Sequence, residues 1–253
     1  MKAKKQILPN ISNHRYTVSI AQTDKEIEEA LKLRYKVFYK ELEREFDSSK
    51  TIDEDKYDAQ CHHLIVKENE SGSVVGTYRL QTYEQAAGGE GFYSESLFNL
   101  NELPQEVLTK SFEVGRACIE EEHRSGRVLF LLWKGFAGYL QALNKRYLLG
   151  SLGIPAESAE EGIAIYKELQ DRGVIHPEYQ VTGTENYKKS VDDFDVAKKE
   201  NFDAPGLLQN YLSVGCSIIS KPAYHKDLKL MYVMIFLDIE NMPDRTRKMF
   251  FGK

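Results

Sequence analysis

The chain has 253 residues, 42% of them hydrophobic, with a formal charge of −5 and a sequence pI of about 5.8. That length buries one sizeable core, and the acidic balance excludes a general nucleic-acid binder, which would be basic. Cys61, Cys118 and Cys216 are widely spaced and odd in number, which excludes a disulfide framework and points to a reducing cytoplasm, and no run of 18 apolar residues predicts a spanning helix.

From the N-terminus, Met1 to Asn10 carries lysines with no apolar run behind them, which is not a secretory signal. Tyr16 to Ala21 reads as a first strand, and Thr23-Asp24-Lys25-Glu26 as a capping box opening a helix. In that helix Ile27, Leu31, Arg34 and Phe38 recur at i, i+4, i+7 and i+11, so Arg34 stands on the apolar face. A guanidinium there either meets an anion or snorkels to water. The acidic stretch from Glu43 to Asp58 follows. Its Asp53-Glu54-Asp55-Lys56-Tyr57-Asp58 lacks the glycine at the sixth position and the closing glutamate of a calcium loop. It reads either as solvated loop charge or as a carboxylate cluster that pairs with Arg34 or receives a substrate ammonium.

Cys61-His62-His63 offers Cys61 and His63 on one strand face but no second pair at zinc-like spacing, so no metal is expected. His63 to Glu68 and Val74 to Gln81 read as strands joined by the turn Asn69-Glu70-Ser71-Gly72. Arg79 lies on the second of them as a candidate anion holder. The glycines of Gly88-Gly89-Glu90-Gly91 do not follow a strand and open a helix, which argues against a dinucleotide fingerprint and for a mobile loop. The aromatic run from Phe92 to Phe98 either lines an acyl tunnel or packs.

Ser111 to Ile119 is a β-prone run in which regular alternation sends Glu113 and Arg116 to opposite faces. Gly115 between them predicts a bulge, and with one both charges reach a single site. A charged turn, Glu120 to Arg127, leads into an apolar helix from Val128 to Leu143 holding Trp133, Phe136 and Tyr139. Arg124, Ser125, Gly126 and Arg127 thus stand where that helix begins, beside free N–H groups suited to a phosphate. Arg124, Arg127, Lys134, Lys145 and Arg146 are candidates for a local basic patch.

Tyr147 to Leu152 reads as a strand and Ala156 to Arg172 as a helix ended by Gly173. The polar span 174–205 reads as an insertion or flap. Leu207 to Val214 reads as a short helix, and Cys216 to Ser220 and Leu228 to Ile239 as closing strands. The basic and apolar tail Arg245 to Phe251 either frays or rests on an anionic membrane surface. The order of elements predicts one α/β domain over 1–253, with its core at about 16–240 and a mixed, mostly antiparallel central sheet flanked by helices.

Several motifs carry a resemblance: Arg34-Tyr35-Lys36-Val37-Phe38, Gly76-Thr77-Tyr78-Arg79-Leu80, Glu113-Val114-Gly115-Arg116, Arg124-Ser125-Gly126-Arg127-Val128, Leu132-Trp133-Lys134-Gly135 and Tyr211-Leu212-Ser213-Val214-Gly215. Together they resemble the ornithine-lipid type N-acyltransferases of the GNAT-like superfamily, which are related to the acyl-homoserine lactone synthases. The resemblance runs from about Arg34 to Val233, more loosely over 156–206 and at Asp227 to Tyr232. It implies a GNAT fold and transfer of a long (3-hydroxy)acyl group from acyl carrier protein to the α-amine of an amino acid such as ornithine or glycine. Asp55 and Asp58 match the family's Asp-x-x-Asp cluster.

In this reading Glu113 and Arg116 are catalytic, and Arg34, Phe38, Asp55, Asp58 and Arg79 bind the acceptor. Arg124, Ser125, Gly126, Arg127 and Trp133 hold the donor's phosphopantetheine. Ordinary acetyltransferases of the fold carry further glycines where this chain has Arg127 and Leu129, a departure that favours carrier protein over coenzyme A, though a coenzyme A ester stays open. No metal or resident cofactor is implied, and the protein is expected in the cytoplasm, with peripheral membrane contact possible. The alternatives are a coenzyme A dependent acetyltransferase, a homoserine lactone synthase, and a silent module that only binds carrier protein.

Overall fold

A computed structural model of the chain describes residues 7–41, 50–187 and 194–252. The acidic stretch read from Glu43 lies outside the described residues as far as 49, and the polar span 174–205 does so over 188–193. The described chain forms two compact units.

In the first unit, drawn from residues up to 90, 112–145 and 248 onward, the strands run in an antiparallel order. They are β1 (Ile11–Ser12), β2 (Tyr16–Ile20), β3 (His62–Glu68), β4 (Val74–Thr82) and β5 (Ser111–Ile119). β4 is buried along all nine residues, so both of its faces are covered. On one face Ala30, Leu33 and Val37 of the α1 region (Asp24–Tyr35) meet Ile65, Val74 and Cys118, with Ile27 and Phe38 packed against them. The other face takes α4 (Arg127–Ala142): Tyr78 and Phe112 pack edge-on to Phe136 at 4.8 and 6.2 Å between ring centroids. Gly76 permits that approach, since a Cβ there would stand 2.5 Å from Val128 Cγ1.

α1 begins at the predicted capping box, with Thr23 and Glu26 bonded reciprocally. It then passes into a π-helix over Lys36–Glu41, a form that spacing does not reveal. Thr82 and Gln85 make a second capping box that opens α2 (Tyr83–Ala87), which ends where the glycine loop begins. The C-terminal tail also departs from fraying. α7 (Asp244–Phe251) buries Phe250, whose ring lies 5.6 Å from Phe130 and 5.8 Å from Trp133. Apolar contact outweighs end fraying there.

The second unit, 91–111 and 146–247, holds α3 (Gln105–Thr109), β6 (Tyr147–Pro155), α5 (Ala159–Asp171), α6 (Gly206–Ser213), β7 (Ser217–Ile218), β8 (Ala223–His225) and β9 (Leu230–Asp238). β9 pairs antiparallel with β6, β7 and β8. Gly162 of α5 lies against Met231, where a Cβ would meet that side chain at 3.3 Å. Ile175 and Val181 form parallel bridges to Ile218 and Ser220. The first part of the expected flap is therefore tied along the sheet, because its backbone finds partners there. Phe92 and Phe98 are buried, which answers to packing. Both units together carry the expected α/β architecture of mostly antiparallel strands.

Candidate functional site

The expected bulge is present. Arg79 stands opposite Gly115 while Thr77 stands opposite Cys118, so three steps along β5 match two along β4. Arg116 occupies the extra position with φ +53°, a left-handed conformation that a non-glycine residue adopts at a cost. Opposed residues of an antiparallel pair share a face. Glu113 opposite Gln81, Gly115 opposite Arg79 and Cys118 opposite Thr77 therefore all face α1. The bulge lets Arg116 reach the same side, where its guanidinium lies 5.8 Å from the Phe38 ring centroid.

Three arginines meet three aspartates on this face. Arg34, wholly buried, donates from Nε to Asp53 at 2.8 Å and forks onto Asp58 at 2.6 and 3.1 Å. Arg79 donates to Asp55 at 2.5 Å and to Asp58 at 3.1 Å, and its guanidinium lies 5.5 Å from the Tyr57 ring centroid. Arg116 donates to Asp55 at 2.9 Å and stands 3.8 Å from Asp53. Arg34 thus meets an anion and does not snorkel, and the acidic stretch is a pairing cluster. Asp53 is the member that the sequence motif missed. It falls outside the Asp-x-x-Asp spacing, and its only signal is its place two residues before Asp55.

Burial acts to raise the carboxyl pKa of both Asp55 and Asp58, but the arginines outweigh it. Arg79 and then Arg116 hold Asp55 well below the usual carboxylate range, and Arg34 followed by Arg79 lowers Asp58, helped by the Asp55 N–H. Burial works against the Arg79 charge, yet Asp55 and Asp58 raise its pKa. Burial pushes the Cys61 thiol up to about 12, with the neighbouring Glu113, Asp58 and Asp55 charges adding to the rise. Cys61 is therefore a thiol at neutral pH and a poor nucleophile. Glu113 is buried on β5 beside this group.

His63, opposite Arg79 on β3, is also buried, and that burial lowers its pKa to about 4 against the opposing pull of Asp58. A group whose folded pKa lies below its unfolded value binds more protons when unfolded, so stability falls as the pH drops through that window. Between pH 6.5 and 4 His63 should withdraw on the order of 3 kcal/mol. In urea titrations at pH 7 and pH 4.5, His63→Leu should show a smaller loss on acidification than the parent; equal losses would refute the assignment. His62 bonds instead to the Tyr139 hydroxyl at 2.8 Å.

At the start of α4, Gly126 takes φ +84°. Ser125, Gly126, Arg127, Phe130, Leu131 and Lys134 line an open cavity of about 400 Å³ together with Ile11 and Asn13 of the β1 segment. The Lys134 ammonium lies 5.7 Å from the Phe130 ring centroid. Three of the five residues expected to hold the donor meet here. Arg124 turns its Nε to the Ile119 carbonyl at 2.9 Å. Trp133 does not line the cavity; it is buried between Phe136 and Phe250. Of the proposed basic patch, Lys145 is bound to both Glu84 oxygens at 2.7 and 2.8 Å, and Arg146 to Asp238 at 2.8 and 2.6 Å. Among the described residues no helix is long and apolar enough to cross a membrane.

The family of the acetyltransferase (GNAT) domain matches residues 33–134, the span that holds both the arginine–aspartate network and the cavity-lining turn. An L-ornithine Nα-acyltransferase of Agrobacterium fabrum is 26% identical over 89% of this chain and 82% of its own length. Among solved structures, a coenzyme A dependent acyl-homoserine lactone synthase, BjaI, superposes with a TM-score of 0.52 at 12% identity, covering 90% of this chain and 82% of its own. FeeM, an N-acyl amino acid synthase from uncultured soil microbes, gives 0.50 at 10% identity over 89% of this chain and 92% of its own. Residues 33–134 thus match the acetyltransferase (GNAT) domain family, the chain shares the fold of these acyltransferases, and over most of its length it is similar in sequence to L-ornithine Nα-acyltransferases.

Proposed function

We propose that this protein is an N-acyltransferase that moves a long (3-hydroxy)acyl group from the phosphopantetheine thioester of acyl carrier protein to the α-amine of ornithine or a similar small amino acid. The observation that carries the reading is the bulged strand. It sets Glu113 and Arg116 on one side of the sheet, beside a buried network of arginines and aspartates. The ornithine acyltransferase relative spans the same region.

The chemistry needs no covalent enzyme intermediate. The amine nitrogen attacks the thioester carbonyl, the C–N bond forms, the C–S bond breaks, and the thiolate leaves. Glu113 takes the proton that the amine releases, directly or through a water. Arg116, with Arg79 behind it, receives the acceptor's carboxylate, which exchanges for part of the Asp55 contact. Asp58, itself gripped by Arg34, holds Arg79 in place. Ser125, Gly126, Arg127 and Lys134 receive the single phosphate of the carrier's arm. The exposed Arg245, Lys248 and Met249 of α7 suit a peripheral contact with an anionic membrane, where such a product would be delivered.

The test is a mass-spectrometric assay of the purified protein with 3-hydroxypalmitoyl carrier protein, or the matching coenzyme A ester, against a panel of amino acids. N-acylornithine formed from the carrier-bound donor is the expected product. Product from short coenzyme A esters alone would reassign the chain to a generic acetyltransferase, and capture of carrier protein without turnover to a binding module.

A further inference from the structure

We infer that Asp53 is a positioning residue for Arg116, fixing the plane in which that guanidinium meets the acceptor. The inference rests on the reading of Arg116 as the acceptor's carboxylate partner. Asp53 links the most buried arginine of the network to the most exposed. Its Oδ2 accepts from Arg34 Nε at 2.8 Å and stands 3.8 Å from Arg116 Nε, while the Arg116 side chain keeps 23% of its exposure and that of Arg34 only 1%.

Asp53 is itself held from two directions. Its backbone N–H donates to the Leu31 carbonyl of α1 at 3.1 Å. Its Oδ1 faces the Tyr39 hydroxyl, contributed by the π-helix, at 3.4 Å. Phe38 from the same π-helix lies beside the Arg116 guanidinium. Asp55 alone does not fix Arg116, because Arg79 shares that carboxylate at 2.5 Å. The backbone of Arg116 is also in the left-handed region, a strained conformation that persists where surrounding contacts hold the residue. A buried carboxylate anchored to α1 supplies that fixed reference, and its charge acts through little solvent.

Asp53→Asn keeps the shape and an acceptor for Arg34 while removing the charge. It should raise the acceptor KM about tenfold or more and leave the donor KM unchanged. The milder Tyr39→Phe, which keeps the charge and loosens its seat, should raise the acceptor KM about threefold and serves if Asp53→Asn does not fold. An unchanged acceptor KM, or a parallel rise in both KM values with a lowered Tm, would overturn the inference. A second readout does not need turnover. Nitrogen-detected NMR of the arginine side chains should show slow guanidinium rotation at Arg116 in the parent and fast rotation in Asp53→Asn, with Arg79 unaltered. Absence of product from the parent would remove the acyltransferase reading, and the NMR comparison would then decide the Asp53–Arg116 coupling alone; identical Arg116 spectra would end it.

Discussion

Replacing Arg34 with methionine should destabilise the protein by roughly 3–5 kcal/mol, among the largest effects of any single substitution in the first unit. The side chain is wholly buried on the apolar face of α1 and makes three hydrogen bonds, one to Asp53 and two to Asp58. Removing it strands two carboxylates, whose side chains are 5% and 3% exposed, with only part of their compensation left. Arg34→Lys should recover little, because a single ammonium cannot reproduce the fork onto Asp58 together with the Nε contact to Asp53. Urea unfolding at pH 7 measures both variants, and a loss below about 1 kcal/mol for Arg34→Met would contradict the account.

The pH dependence adds an independent check. The Asp58 carboxyl is held below its ordinary value. It therefore contributes stability that is present above the unfolded carboxyl pKa of about 4 and is lost as the pH falls below that. In Arg34→Met much of that loss has already occurred, so the acid limb of its stability curve should be flatter than the parent's. A parallel acid limb would mean that Asp58 draws its low pKa chiefly from Arg79.

How far the sequence could be read depended on whether a feature was local. The capping box at Thr23, the turn ending at Gly72 and the bulge beside Gly115 are each set by a few neighbouring residues, and each stands where spacing predicts. Arg34 was legible as a charge out of place on an apolar face. Its partners were only half legible: a charged loop announces carboxylates, but not that Asp53 joins Asp55 and Asp58 in the network. That depends on the backbone bond from Asp53 to Leu31, a contact between segments distant in sequence.

The same reason explains why the ordering of the tail and the packing of Trp133 were not legible. Phe250 orders α7 by reaching Trp133 and Phe130, and in doing so it occupies Trp133 with packing. No periodicity within either segment encodes that meeting. Lys145 and Arg146 likewise read as a basic patch until Glu84 and Asp238 are seen to cover them.

Glu113→Gln should lower turnover by about 10²- to 10⁴-fold while acceptor and donor KM change little. The substitution keeps the size of the side chain and one acceptor oxygen, replaces the other with an N–H donor, and removes its ability to take a proton. Glu113 is suited to that work by its placement. It lies on the α1 face of β5, opposite Gln81, buried, and two positions before the glycine at which the strand bulges. The bulge brings Arg116 to the same side, so in the proposed reaction one strand would offer both a proton acceptor and a cation for the acceptor's carboxylate. Neither Asp55 nor Asp58 competes for the proton, because the arginines hold both carboxyls low and make them weak bases. His63 is neutral, but it is buried, and its Nε2 faces the Asp58 carbonyl at 3.4 Å. Single-turnover assays with preloaded acyl donor separate the chemical step from product release. A Glu113→Gln rate within about threefold of the parent in that assay would remove Glu113 as the base and leave attack by an amine already deprotonated in solution, a route that should show a rate rising steadily with pH towards the amine pKa.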